Sequence, residues 1–162
     1  MAKKKSERSE QRKQEHGLVF VCIIDYNSYM NDNYKRTKTT VSLINYHFIF
    51  CPRYRRKIFI ISGVEDRFKE LVNKECERRG YRIIAMECDK DHCHLFINVL
   101  PTESPHEIMK YIKGCTSRVL RNEFPMLKAM PSLWTRSYFC STAGNVSSET
   151  IRRYIETQKT RS

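Results

Sequence analysis

The chain reads as an α+β domain of the ferredoxin-like type, β-α-β-β-α-β with one further helix, and three observations lead there. Its apolar patterns alternate between period two and period 3.6 in that order. Two of the strands are separated only by Lys90-Asp91, a hairpin spacing. At 162 residues the chain has room for one substantial core and not for two. In this arrangement the sheet is antiparallel, both helices lie on one face, and the other face is free for a ligand or partner.

Each element has its own warrant. "TVSLINYHFIF", residues 40–50, is β-branched and aromatic and predicts the first strand. Pro52 breaks it, and "PRYRRK" then concentrates Arg53, Arg55, Arg56 and Lys57 around Tyr54. Ser62 and Gly63 precede a helical stripe of Val64, Phe68, Leu71, Val72 and Cys76, which Gly80 stops. Residues 81–89 form the second strand. "HCHLFINV" forms the third, ended by Pro101. Ser104, Pro105 and Glu107 make a capping box with proline at the first helical position. That helix carries Ile108, Tyr111, Ile112, Cys115 and Val119 and stops near Phe124-Pro125. Residues 137–142 give the fourth strand, Ala143-Gly144-Asn145 a flexible joint, and residues 148–159 a last helix with Glu149 in its first turn.

Residues 1–32 differ in kind. "MAKKKSERSEQRKQEH" is too polar to enter a core and is expected to be disordered. The apolar run 18–24 after it resembles a signal peptide but lacks a small-residue cleavage site, and its structural alternative is an added edge strand. The domain proper is therefore expected over 33–162. No apolar run is long enough to span a bilayer, so no membrane role is expected.

Thirty Lys and Arg against 18 Asp and Glu leave a net charge of +12, which favours a polyanionic partner, nucleic acid first. Seven cysteines, odd in number and without a C-x-x-C pair, indicate neither a disulfide framework nor a zinc ribbon. They suit small core residues in a reducing cytoplasm.

Chemistry concentrates in "DKDHCHLFINV". Alternation along a strand puts His92, His94, Phe96 and Asn98 on one face and the apolar Cys93, Leu95, Ile97 and Val99 on the other. Two imidazoles on one face can each give a nitrogen to a divalent metal; they can also be two ordinary surface histidines. In "IRRYIETQ", Ile151, Tyr154, Ile155 and Gln158 share one helical stripe, with Arg152 and Arg153 beside it. A metal near Gln158 would lie close to the Tyr154 phenol, although an amphipathic helix with a core tyrosine gives the same pattern. A tyrosine beside a metal in a basic protein suggests phosphoryl transfer. The phenol's reference pKa near 10 means that it needs a cation to polarise the phosphate.

"NYHFIFCPRYRRK", "DHCHLFI", "YIKGCTSRVLRNEFP", "LWTRSYF" and "IRRYIETQ", in this order from about residue 33 to the C-terminus, resemble the single-tyrosine HUH transposases of the insertion sequence 200/605 family. Cys93 is a smaller central residue than that motif usually carries. The resemblance implies a transposase that cleaves and rejoins single-stranded DNA at hairpin-bearing element ends through a 5′-phosphotyrosine. It implies Tyr154 as nucleophile, His92, His94 and Gln158 as metal ligands, and Mg²⁺ or Mn²⁺ as the ion. It also implies a homodimer whose active sites combine the histidines of one subunit with the tyrosine helix of the other. Gln158 stands where two-tyrosine relatives carry a second tyrosine, so one nucleophile is expected. Relaxases of related chemistry have a third histidine in the cluster; none is expected here, with His47 facing core or DNA and His106 at a helix start.

For DNA contacts, Arg53, Tyr54, Arg55, Arg56 and Lys57, then Arg118 and Arg121 in "TSRVLR", and Arg152 and Arg153 are the candidates. Tyr54 or Trp134 can stack on an unpaired base, Trp134 more readily belonging to the core. Met30 resembles the usual start of such a chain, so a protein beginning there is expected to fold and cleave. Competing readings are a domesticated relative acting on repeated palindromes, a non-catalytic nucleic-acid-binding module, and a metalloprotein using Cys88, His92 and His94. The last fits no standard zinc spacing.

Overall fold

The computed structural model describes residues 34–143. The extension 1–32 and the helix expected over 148–159, with Tyr154, Gln158, Arg152 and Arg153, lie outside the described residues.

Four antiparallel strands build the main sheet: β3 (Ile44–Phe50), β4 (Arg82–Asp89), β5 (His92–Val99) and β6 (Phe139–Ala143), in the order β4-β5-β3-β6. The first and third strands of the motif are thus central and the second and fourth form the edges, which is the ferredoxin-like arrangement. Two helices connect them, α1 (Val64–Arg79) between β3 and β4, and α2 (Pro105–Glu123) between β5 and β6.

The local signals act as the sequence implies. Gly80 takes the left-handed conformation (φ 68°) and its N–H reaches the carbonyls of Cys76 and Glu77, ending α1. Glu65 and Asp66 occupy the first turn of α1, and Arg78 and Arg79 the last, both favourable to the helix dipole. The Glu107 N–H donates to Ser104 Oγ at 3.2 Å, with Pro105 opening α2. Phe48, Cys93, Leu95, Ile97 and Val99 meet Val64, Phe68 and Val72 of α1 and Ile108, Ile112 and Leu120 of α2 in one dry core. Each such side chain contributes roughly 1.5–3 kcal/mol on leaving water. Trp134 joins this core, its Nε1–H donating to Thr116 Oγ1 at 3.0 Å.

Three differences from expectation have local causes. The run 40–50 is not one strand: Val41–Ser42 (β2) pairs with Lys35–Arg36 (β1) in a separate ribbon, and only Ile44 onward enters the main sheet. Thr37 closes that ribbon, its Oγ1 accepting from Thr40 N–H at 3.0 Å. Pro125 starts a short helix, α3 (Pro125–Lys128), as well as ending α2. The fourth strand starts at Phe139, because the Ser137 carbonyl is already taken by Lys113 Nζ and Thr135 Oγ1, at 2.9 and 3.0 Å.

The face away from the helices is less open than expected. His94, Phe96 and Asn98 are buried there. A β-bulge at Ile84, between the paired Ile83 and Ala85, brings Ile84 against Phe96 in a second small apolar cluster. The Asn98 amide donates to Asn45 Oδ1 at 2.9 Å.

Candidate active site

The β4–β5 hairpin places His92 and His94 together on that second face. Their ring centres lie 5.1 Å apart with planes at 66°. A cation about 2 Å from one nitrogen of each ring puts the ring centres about 5 Å apart, so the pair has the spacing of two ligands of one ion.

Carboxylates gather at the first ring. His92 Nδ1 lies 2.8 Å from Asp91 Oδ1 and 3.9 Å from Asp89 Oδ2. Asp89, Asp91 and His92 offer donor atoms within 4.8 Å of one another, a set able to hold a metal ion. Imidazole with carboxylate oxygen suits a hard or borderline divalent ion rather than a soft one. Asp91 is shared, since Arg55 reaches it from the loop after β3 at 2.9 and 3.3 Å. The Arg55 guanidinium, with the hydrogen bond from His92, holds the Asp91 carboxyl below the usual range. Sequence reading missed both aspartates, although the repeated acids of "DKDHCH" were a usable signal.

The second ring has a different neighbour. His94 Nδ1 lies 3.1 Å from His47 Nε2 on β3, and the His47 ring stacks on Phe96 at 3.9 Å between centres. A third histidine therefore does stand beside the pair, contrary to expectation. The register explains it: His47 pairs with Phe96, and Ile49 with His94, so the two histidines are diagonal neighbours across β3 and β5. Burial, then the charge of His94, lowers the His47 pKa to about 4. Burial and His92 lower that of His94, against a smaller opposing effect of Asp89. Both rings are thus neutral at pH 7, the form in which imidazole ligates metal or accepts a hydrogen bond.

The basic loop lies close by. Among the described residues only Tyr54 (φ 61°) and Arg55 (φ 49°) are non-glycine residues in the left-handed region, which costs roughly 1–2 kcal/mol each. Arg53 Nη1 donates to Ser132 Oγ at 3.1 Å. Arg56, Lys57 and Arg118 are exposed. Arg121 turns inward, its Nη2 donating to the carbonyls of Lys128 and Met130 at 3.3 and 2.8 Å, where it braces the turn after α3. The structure thus brings His92, His94 and, through Asp91, Arg55 together. His106 lies in the first turn of α2 and joins no metal cluster among the described residues.

Sheet order, helix placement and a histidine–carboxylate cluster on the sheet define a ferredoxin-like α+β domain with a candidate metal centre. Comparison with known proteins takes this further. The family model "Transposase IS200 like" matches residues 40–158. The ISDra2 transposase TnpA of Deinococcus radiodurans is 29% identical over 127 residues, covering 76% of this chain and 90% of that protein. The transposase for insertion sequence element IS200 of Salmonella typhimurium is 34% identical over 117 residues, covering 70% and 75%. A crystal structure assigned as a transposase from Deinococcus radiodurans R1 superposes with a TM-score of 0.62 at 28% identity, over 76% of this chain and 97% of that one. A REP-associated tyrosine transposase bound to a REP hairpin shares the fold, with a TM-score of 0.52 at 11% identity, over 75% and 68%. The chain belongs to the IS200-like transposase family, whose members are DNA-cleaving and strand-transferring enzymes.

Proposed function

We propose that this transposase cleaves and rejoins single-stranded DNA at hairpin-bearing ends of a small insertion sequence, with Tyr154 as its single nucleophile. The observation that carries the reading is the His92–His94 pair, spaced as two ligands of one ion on a sheet face and flanked by Asp89 and Asp91. A divalent cation, Mg²⁺ or Mn²⁺, held by His92, His94 and Gln158 with Asp89 in reach, would polarise the scissile phosphate and stabilise charge on the departing oxygen.

The chain's own groups do the rest. The Tyr154 phenol oxygen forms the new bond to phosphorus and gives up its proton. The bond from phosphorus to the 3′ oxygen breaks, and that oxygen leaves as a hydroxyl. A 5′-phosphotyrosine results, so one phosphodiester replaces another, and a later 3′ hydroxyl reseals the strand by the reverse exchange without a nucleotide triphosphate. His47 is the positioning residue. When its Nε2 accepts the His94 Nδ1–H, the His94 Nε2 lone pair is left for the metal, the usual arrangement behind a metal-bound histidine.

Arg56, Lys57, Arg118, Arg152 and Arg153 are the proposed contacts to phosphates, with Arg53, Tyr54 and Arg55 lining the approach; Arg121 serves the fold instead. A homodimer sharing its active sites, and an element-end hairpin as substrate, complete the proposal. The test is a denaturing gel of the protein with single-stranded element-end DNA and Mn²⁺. A covalent protein–DNA band that Tyr154→Phe removes while binding persists is the expected result. A native-gel shift without any covalent band would instead mark a binding module and overturn the reading.

A further inference from the structure

We infer that the pocket beside the basic loop is a seat for one unpaired nucleotide of the DNA strand, with Tyr54 as its stacking platform and Arg53 and Arg136 as its phosphate contacts. The inference rests on the single-stranded DNA reading above and adds a subsite to it.

The pocket has a volume of about 500 Å³ and is lined by Arg53, Tyr54, Ser132, Trp134, Thr135 and Arg136. That is a size for a nucleotide rather than for a water or an ion. Two guanidiniums and no acid line it, so its charge suits a phosphate. Tyr54 is 68% exposed, unusual for so large a ring, and lies with the Arg53 guanidinium 5.0 Å from its centre. An exposed aromatic beside an arginine is the pairing by which proteins hold unstacked bases.

The walls are fixed. Pro52 and Trp134 form an isolated antiparallel bridge, flanked by Arg53 N–H to Leu133 O at 2.8 Å and Thr135 N–H to Cys51 O at 3.1 Å. Tyr54 itself sits in a left-handed conformation that tyrosine rarely adopts. The same turn sends the next residue, Arg55, across to Asp91 and so to His92. One strained dipeptide thus ties the pocket to the histidine pair, and a base seated on Tyr54 would set which phosphodiester of the strand reaches His92. Strain kept at such a position is a common sign of function.

The test uses the full chain in EDTA, so that metal plays no part, with dT10 and a decamer of abasic sites as probes. Trp134 is the sole tryptophan and lines the pocket, so its fluorescence reports occupancy. The expected result is quenching by dT10, and affinity for dT10 lowered about tenfold or more in Tyr54→Ala but within about twofold in Tyr54→Phe. Tyr54→Asn, which keeps the left-handed backbone, should behave as Tyr54→Ala and control for misfolding. Arg136→Ala should weaken dT10 and the abasic decamer alike. Equal loss of both probes in Tyr54→Ala, or no loss of either, would overturn the stacking role. Failure of the wild-type chain to bind dT10 at low salt would overturn the DNA reading itself.

Discussion

Leu95 and Ile97 point from β5 towards the helices and are fully buried; His94 and Asn98 point the other way and are only 8% and 1% exposed. The two faces of the sheet thus differ little in burial and greatly in how burial is compensated. On the helix face apolar atoms meet apolar atoms. On the other, His94 is answered by His47 and Asn98 by Asn45, each across β3 and β5. A buried polar pair costs more to break than to keep, because the abandoned partner stays out of water. Strand positions on the second face are therefore committed to particular partners, whereas those on the first need mainly volume.

This contrast can be broken by mutation. The largest effect is expected from Tyr154→Phe: formation of the covalent DNA adduct should fall below detection on a denaturing gel, with the melting temperature unchanged. Leu95→Ala, on the helix face, should cost about 2–5 kcal/mol in urea denaturation yet leave cleavage intact at temperatures where the protein stays folded. On the other face His47→Leu should lower Mn²⁺ affinity about 10–100-fold by titration calorimetry, with His47→Gln, whose amide oxygen can still accept from His94, largely restoring it. Equal losses in the Leu and Gln variants would mean that the ring itself, and not its acceptor, is required. The smallest effect belongs to Arg67→Ala. Its two bonds to Glu123, at 2.7 Å, join α1 to α2 at the surface, and its bond to Glu70, at 2.6 Å, lies within α1; water screens such exposed pairs, so the urea midpoint should hardly move.

Local rules made much of this legible in the sequence. Alternation assigned the two faces of β5, Gly80 ended α1, and Ser104 with Glu107 opened α2, because each signal acts within a few residues of itself. The β1–β2 ribbon escaped because strands of two residues carry almost no periodicity. His47 escaped for a different reason. Its partner is 47 positions away, and only the register of β3 on β5 reveals that the two rings touch. Asp89 and Asp91 were visible beside the histidines, but that they converge on His92 depends on the turn of the hairpin. For the tyrosine helix, the sequence pattern and the family match remain the support.

Sheet order has a consequence for how the molecule comes apart. His47 and His94 sit on β3 and β5, the two inner strands, each flanked by hydrogen-bonded neighbours on both sides. Inner strands belong to the last cooperative unit to open, so their amides should exchange with deuterium only through global unfolding. The Tyr54 turn lies outside the sheet, held by the Pro52–Trp134 bridge and the Arg55–Asp91 pair, and should exchange earlier, through smaller openings. The rings proposed as metal ligands thus sit in the most durable part of the molecule, and the proposed nucleotide seat lies outside that unit.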